Sequence, residues 1–250
     1  WKFVCLRYSM KVLLGSGGVA TPERLDLFKS LVSDHFKKSK NVVYIPLASA
    51  NHFAGIERIR EIMGDQGWKF NLLNEGKERR QIEEADGIYI AGGNSFLLVK
   101  ELHRIGIIQQ IQDAVGAGVP YLGVSAGSNV ACPTMMTTND MPIVRPDSYD
   151  SLGIVPFQIN PHYYPGKIFF KYQGKEHPHF GESRRQRILE YHRIHDTPVL
   201  GMWEGSYVRW DGVAGTLIGR AAGFYPDGQT LDFYDGVIFN GQLQILESAP

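Results

Sequence analysis

Cysteine is almost missing from this 250-residue chain, which carries only Cys5 and Cys132. Two distant thiols provide neither a disulfide framework nor a metal motif, and Cys132 sits in an apolar segment where a buried free thiol is ordinary. A surplus of either charge is missing too, since 26 Lys and Arg balance 26 Asp and Glu. With no basic stripe interleaved with aromatics, the composition argues against nucleic acid as a main partner. The clusters "KKSK" (37–40) and "RRQR" (184–187) read as solvated helix ends or local sites. No apolar run is long enough to span a bilayer and no signal-peptide pattern is present, so no membrane partner is expected. With the scarce cysteine, this points to a reducing cytoplasm. Repeats, low-complexity tracts and linkers are also lacking, which favours one domain over residues 10–250. The nine residues before Met10, "WKFVCLRYS", read as an extra segment, upstream of the natural start or non-native.

Apolar side chains, by contrast, are plentiful at 43%, enough to build a core and set disorder aside. They alternate between β-rich runs and amphipathic stretches. "KVLLG" (11–15) reads as a strand and 21–38 as a helix, with Thr21 as N-cap and Pro22 in its first turn. Strands at 41–47, 68–73, 87–93 and 120–124 then alternate with helices at 53–67, 77–85 and 96–118. Continuous apolar strands separated by helices imply a parallel sheet covered on both faces, an α/β fold. Beyond about residue 200, short runs with Asp-Gly and Asn-Gly turns read as antiparallel strands that extend this sheet or form a flanking one.

Three stretches carry candidate chemistry. "GSGGVA" (15–20) fits the Gly-x-Gly-x-x-Ala dinucleotide fingerprint, but no acidic residue closes the second strand, so a tight strand-to-helix turn is the expectation and no cofactor is called for. "EHPHF" (176–180) and "HRIH" (192–195) gather four histidines without a complete ligand set; they read as exposed loop histidines, with no metal. The third is "GVSAG" (123–127), a Gly-x-Ser-x-Gly elbow between an apolar strand and a helix. A serine hydroxyl there needs a general base and oxyanion donors. The Ala126 N–H, at a helix start, is one donor; the Gly92-Gly93 turn in "IAGGNS" is placed to give a second. His162, after the turn-favouring Asn160-Pro161, is the candidate base. Glu204 is the attractive orienting acid, with Asp140, Glu182 and Asp196 as competitors.

"SAGSNVACPTMMTTNDMPIV" (125–144), "FQINPH" (157–162), "GESRRQRI" (181–188), "GMWEGS" (201–206) and "GGNSF" (92–96) together resemble the peptidase E, or aspartyl dipeptidase, family. That resemblance implies a three-layer α/β sandwich similar to class I glutamine amidotransferases, and hydrolysis of small peptides with an N-terminal aspartate. It implies Ser125 as nucleophile, His162 as base, Glu204 as orienting acid, and the Gly93 and Ala126 amides as oxyanion donors. It selects Arg184, rather than Arg185 or Arg187, to grip the aspartyl side chain, a pairing suited to a planar guanidinium fork. It places Asp140 near the substrate amino group or beneath a loop. Oligomeric state is left open.

Two features depart from the family pattern. Residues 163–180 are longer than expected, and their aromatics suit either a lid or plain packing; Trp203 precedes the proposed acid. Two other functions remain open on these residues: cleavage of β-aspartyl linkages, as in cyanophycinase-like proteins, and a binding role on an inactive hydrolase scaffold.

Overall fold

The fold is described by a computed structural model over residues 9–247; residues 1–8 of the extra N-terminal segment and residues 248–250 lie outside the described residues. Five strands, β1 (Val12–Gly15), β2 (Asn41–Ile45), β3 (Lys69–Leu72), β4 (Gly87–Ile90) and β5 (Tyr121–Val124), alternate with α1 (Pro22–Phe36), α2 (His52–Met63), α3 (Glu78–Glu83), α4 (Ser95–Ile105) and α5 (Ile108–Gly116). The Thr21 side chain accepts from the Arg24 amide to cap α1, with Pro22 in the first turn, where its missing N–H has no intrahelical role. The helix expected over 96–118 is two, because Gly106 adopts the left-handed conformation that ends α4.

After the short α6 (Ala126–Asn129) and β6 (Gln158–Tyr163), the exposed strands β7 (Phe169–Tyr172) and β8 (Lys175–Pro178) form a hairpin, and α7 (Arg184–Tyr191) follows. The remaining strands are β9 (Val199–Trp203), β10 (Tyr207–Trp210), β11 (Ala214–Ile218), β12 (Ala221–Phe224), β13 (Thr230–Phe233), β14 (Ile238–Asn240) and β15 (Ile245–Glu247).

Both anticipated uses of the C-terminal strands occur. The main sheet runs β15-β14-β11-β10-β1-β5-β4-β2-β3, parallel from β1 to β3 and antiparallel beyond, while β13-β12-β9-β6 form a second sheet. Alternation along each parallel strand feeds two cores. Leu13, Val42, Tyr44 and Tyr89 pack with α1 and α2. Val12, Leu14, Val43, Ile45, Ile88 and Ile90 pack with α4, α5 and the second sheet.

Register fixes where chemistry can gather. Gly15 lies beside Val124, and Ile90 beside Gly123. The residues that follow, Ser16, Ser125 and Ala91-Gly92, therefore emerge together at the carboxyl edge of the sheet, the crevice where open α/β sheets place ligands.

Candidate active site

Ser125 leaves β5 and caps α6 with φ 56° and ψ −111°, a region that a non-glycine residue occupies at a cost. Its flanking glycines explain how so tight a turn closes. A Cβ on Gly123 would lie 2.4 Å from the Gly127 carbonyl oxygen, and one on Gly127 would lie 2.1 Å from that of Ile90. The buried Ser128 hydroxyl lies 2.8 Å from the carbonyl oxygens of both Gly15 and Gly123, tying the elbow to both strands.

The Ser125 Oγ lies 2.7 Å from His162 Nε2, and His162 Nδ1 bonds the Glu204 carboxylate. Strand geometry delivers both partners. β6 and β9 run parallel, with Asn160 opposite Gly201 but Tyr163 opposite Trp203, so one extra residue bulges from β6. That bulge contains His162, whose φ is 56°. Glu204 follows directly after β9. Its neighbour Trp203 stacks under the Arg220 guanidinium at 4.2 Å.

The glycine-rich turn after β1 seats the relay. Ser16 is fully buried; its Oγ accepts the His162 amide at 2.8 Å and donates to the Met202 carbonyl at 2.9 Å, joining the two sheets. Gly17 (φ 112°) lies against the imidazole, where a Cβ would come within 2.8 Å of Cε1. Gly18 (φ 82°) lies against the acid, where a Cβ would come within 2.1 Å of Glu204 Oε2. Sequence reasoning missed these three as site residues; the signal was "GSGGVA" itself, read only as a turn.

The relay opens on a cleft of about 970 Å³ whose walls include Asp140, His162, Arg184 and Glu204. Arg184 opens α7 and donates from Nη1 to the Pro161 carbonyl at 3.1 Å. Burial pulls its guanidinium below the ordinary arginine range, opposed by the nearby Glu204 and Asp140 carboxylates. Asp140 accepts the Ser95 amide at 2.7 Å at the start of α4. Among the competitors for orienting acid, Glu182 instead pairs with Arg187 at 2.7 Å.

Gly93 (φ 145°) packs where a Cβ would lie 2.3 Å from the Ala48 carbonyl oxygen. Its neighbour Gly92 abuts Ser125, whose Oγ would lie 3.6 Å from a Cβ placed there. Ala126, first in α6, has no intrahelical acceptor for its N–H. The four histidines set aside as ligands are not all in loops. His177 stacks on Phe170 within the hairpin, His179 Nδ1 accepts the Gly181 amide, and His192 and His195 meet at the end of α7. Among the described residues, no three His, Cys, Asp or Glu side chains group as a metal ion would require.

A strained serine at a strand–helix elbow, bonded to a histidine that bonds a carboxylate, defines the serine hydrolase class of α/β proteins. The profile of Peptidase family S51 matches residues 12–218, and the chain belongs to that family. It is 41% identical over 183 residues to a protein of Streptomyces coelicolor named Peptidase E, covering 72% of this chain and 71% of that one. A Drosophila melanogaster relative, named "Probable alpha-aspartyl dipeptidase", is 36% identical over 227 residues, 88% of this chain and 91% of its own. The crystal structure of a peptidase from an acI-B1 Actinobacterium shares the fold with a TM-score of 0.66 at 18% identity, covering 94% of this chain and 98% of that one.

Proposed function

We propose that the chain is a serine-type α-aspartyl dipeptidase, acting on small peptides with an N-terminal aspartate. The observation that carries this reading is the Ser125–His162–Glu204 relay opening on the cleft that holds Arg184. Ser125 Oγ attacks the carbonyl that follows the aspartate. His162 Nε2 takes the hydroxyl proton and returns it to the leaving amine, while Glu204 holds Nδ1–H and stabilises the imidazolium. The Gly93 and Ala126 amides receive the developing oxyanion. Water, activated by the same histidine, then resolves the acyl-enzyme.

Arg184 receives the aspartyl carboxylate, and its partial burial strengthens that contact relative to one made in open water. Asp140, on the same cleft, is the carboxylate available to the substrate ammonium. The chemistry uses protein groups alone, and the layered α/β architecture is read as glutamine amidotransferase-like. With only two cysteines, the protein suits a reducing cytoplasm; among the described residues no helix is long and apolar enough to cross a membrane.

The test is hydrolysis of Asp-Leu, Asn-Leu, Glu-Leu and β-Asp-Leu, with chelator present and Ser125→Ala as control. Asp-Leu is expected to be cleaved well ahead of the others, and Ser125→Ala to lower kcat by about 10⁶-fold, the loss seen when a triad nucleophile is removed. Retained activity in that variant refutes the assignment, and preference for β-Asp-Leu overturns the substrate class.

A further inference from the structure

On the other side of the main sheet from the Arg184 cleft, where α1 and α2 pack, the carboxyl edge holds a second cavity. It measures about 190 Å³ and meets an adjoining recess of about 250 Å³ through Tyr44, Gly55, Arg58, Ala91 and Gly92. Its inner wall borders the reacting atoms. Gly92 lines it, and a Cβ there would lie 3.6 Å from Ser125 Oγ. Gly17 lines it too, and a Cβ there would lie 3.7 Å from His162 Nε2, the nitrogen that hands a proton to the leaving amine.

The polar content of this cavity is unusual. Tyr44, Tyr89 and Tyr207 all line it while only 5%, 6% and 1% exposed. None of their hydroxyls bonds another group among the described residues, so they are left to a ligand in the cavity. At the junction with the recess stands Arg58, an exposed cation that makes no ion pair among the described residues. The remaining lining is largely apolar, from residues such as Phe28, Ile59 and Val124.

We propose that this cavity is the leaving-group subsite: it takes the side chain of the residue after the scissile bond, while Arg58 receives that residue's free carboxylate. The inference rests on Ser125 being the nucleophile. A peptide bond held at Ser125 has its N-terminal residue on the Arg184 side. Its next Cα, 3.8 Å further along, then falls beside Gly17 and Gly92, facing this cavity. The volume is well below the roughly 300–1,000 Å³ of ordinary ligand pockets, so it holds one side chain rather than a longer chain. The three hydroxyls give that side chain or its backbone polar partners. A carboxylate at Arg58 selects dipeptides with a free C-terminus over blocked or extended ones.

Two variants read the subsite through ratios of kcat/KM, in which any loss of folded protein cancels. Arg58 is exposed, so Arg58→Ala spares the core. The ratio for Asp-Leu over aspartyl p-nitroanilide, whose leaving group has no carboxylate, is expected to fall about tenfold, as for loss of a charge-assisted contact, and through KM. Ile62→Phe fills the cavity from α2, and the ratio for Asp-Leu over Asp-Gly is expected to fall at least fivefold. Ratios matching wild type in both variants, with Ser125→Ala inactive, overturn the subsite alone. An active Ser125→Ala overturns the nucleophile assignment and the subsite with it.

Discussion

At the scale of single residues, Gly18 decides whether the Glu204 carboxylate can reach His162. A methyl group there would meet Glu204 Oε2 at 2.1 Å, and Glu204 has a side chain 41% exposed with space to swing outward. Gly18→Ala should therefore move the acid rather than unfold the chain. Holding alanine at φ 82° costs about 1–2 kcal/mol, a Tm decrease of several degrees. Losing the orientation of the base costs much more activity, about 10²-fold in kcat. Steady-state kinetics and a thermal melt check both parts. Because both changes act through one contact, Gly18→Ala combined with Glu204→Ala should be no slower than Glu204→Ala alone, and an additive further loss refutes the explanation. Ser125 and His162 were legible because each ends an apolar run beside a turn-forming residue; Glu204 shares that setting, but only the family resemblance singled it out from Asp140, Glu182 and Asp196. Ser16, Gly17 and Gly18 were not, because their role is to meet His162, Met202 and Glu204, all more than 140 positions away.

At the scale of elements, the hairpin β7–β8 is the clearest departure from the sequence reading. Its residues do not alternate between a buried and a wet face, so hydrophobic periodicity had nothing to register. Ile168, Phe169, Phe170 and Tyr172 are each about half exposed and Phe180 is fully exposed, so they do not build the core. Nevertheless, Lys167, Ile168 and His179 line the cleft that holds Arg184. That position lets a contribution to substrate binding be tested apart from stability. The His179 amide donates to the Ile168 carbonyl at 2.7 Å, so the hairpin's base is already closed. Replacing 169–178 by an Asn-Gly turn should leave Tm within about 2 °C, since almost no apolar area is lost. KM for Asp-Leu should rise severalfold as the hairpin is removed. Unchanged kinetics in the shortened protein would show the hairpin to be uninvolved in substrate binding.

At the scale of the whole molecule, the parallel half of the main sheet was readable because its strands are short, continuous apolar runs between amphipathic helices. The division of the later strands between two sheets was not, since β9 and β10 are both short, largely apolar runs, and only long-range pairing separates them. The opposite edge of the sheet carries a pH-sensitive group. Away from the relay, His35 on α1 lies with its Nε2 3.0 Å from the Tyr121 carbonyl oxygen at the start of β5. Burial pushes its pKa down to about 4; the carbonyl contact and Asp34 oppose that shift, while Arg209 and Lys11 add to it. The unfolded chain, with an ordinary histidine near 6.5, takes up the proton first as pH falls. Stability from this neutral, half-buried imidazole is therefore complete above about pH 6.5 and is lost progressively down to about pH 4. Between pH 7 and 4.5 this amounts to about 2 kcal/mol. His35→Gln keeps a donor for the carbonyl and cannot titrate, so its urea unfolding free energy should fall by about 2 kcal/mol less than wild type over that interval. Carboxylates titrate alike in both proteins and cancel in the comparison. Parallel losses in wild type and variant would mean that His35 is protonated in the folded chain with little penalty.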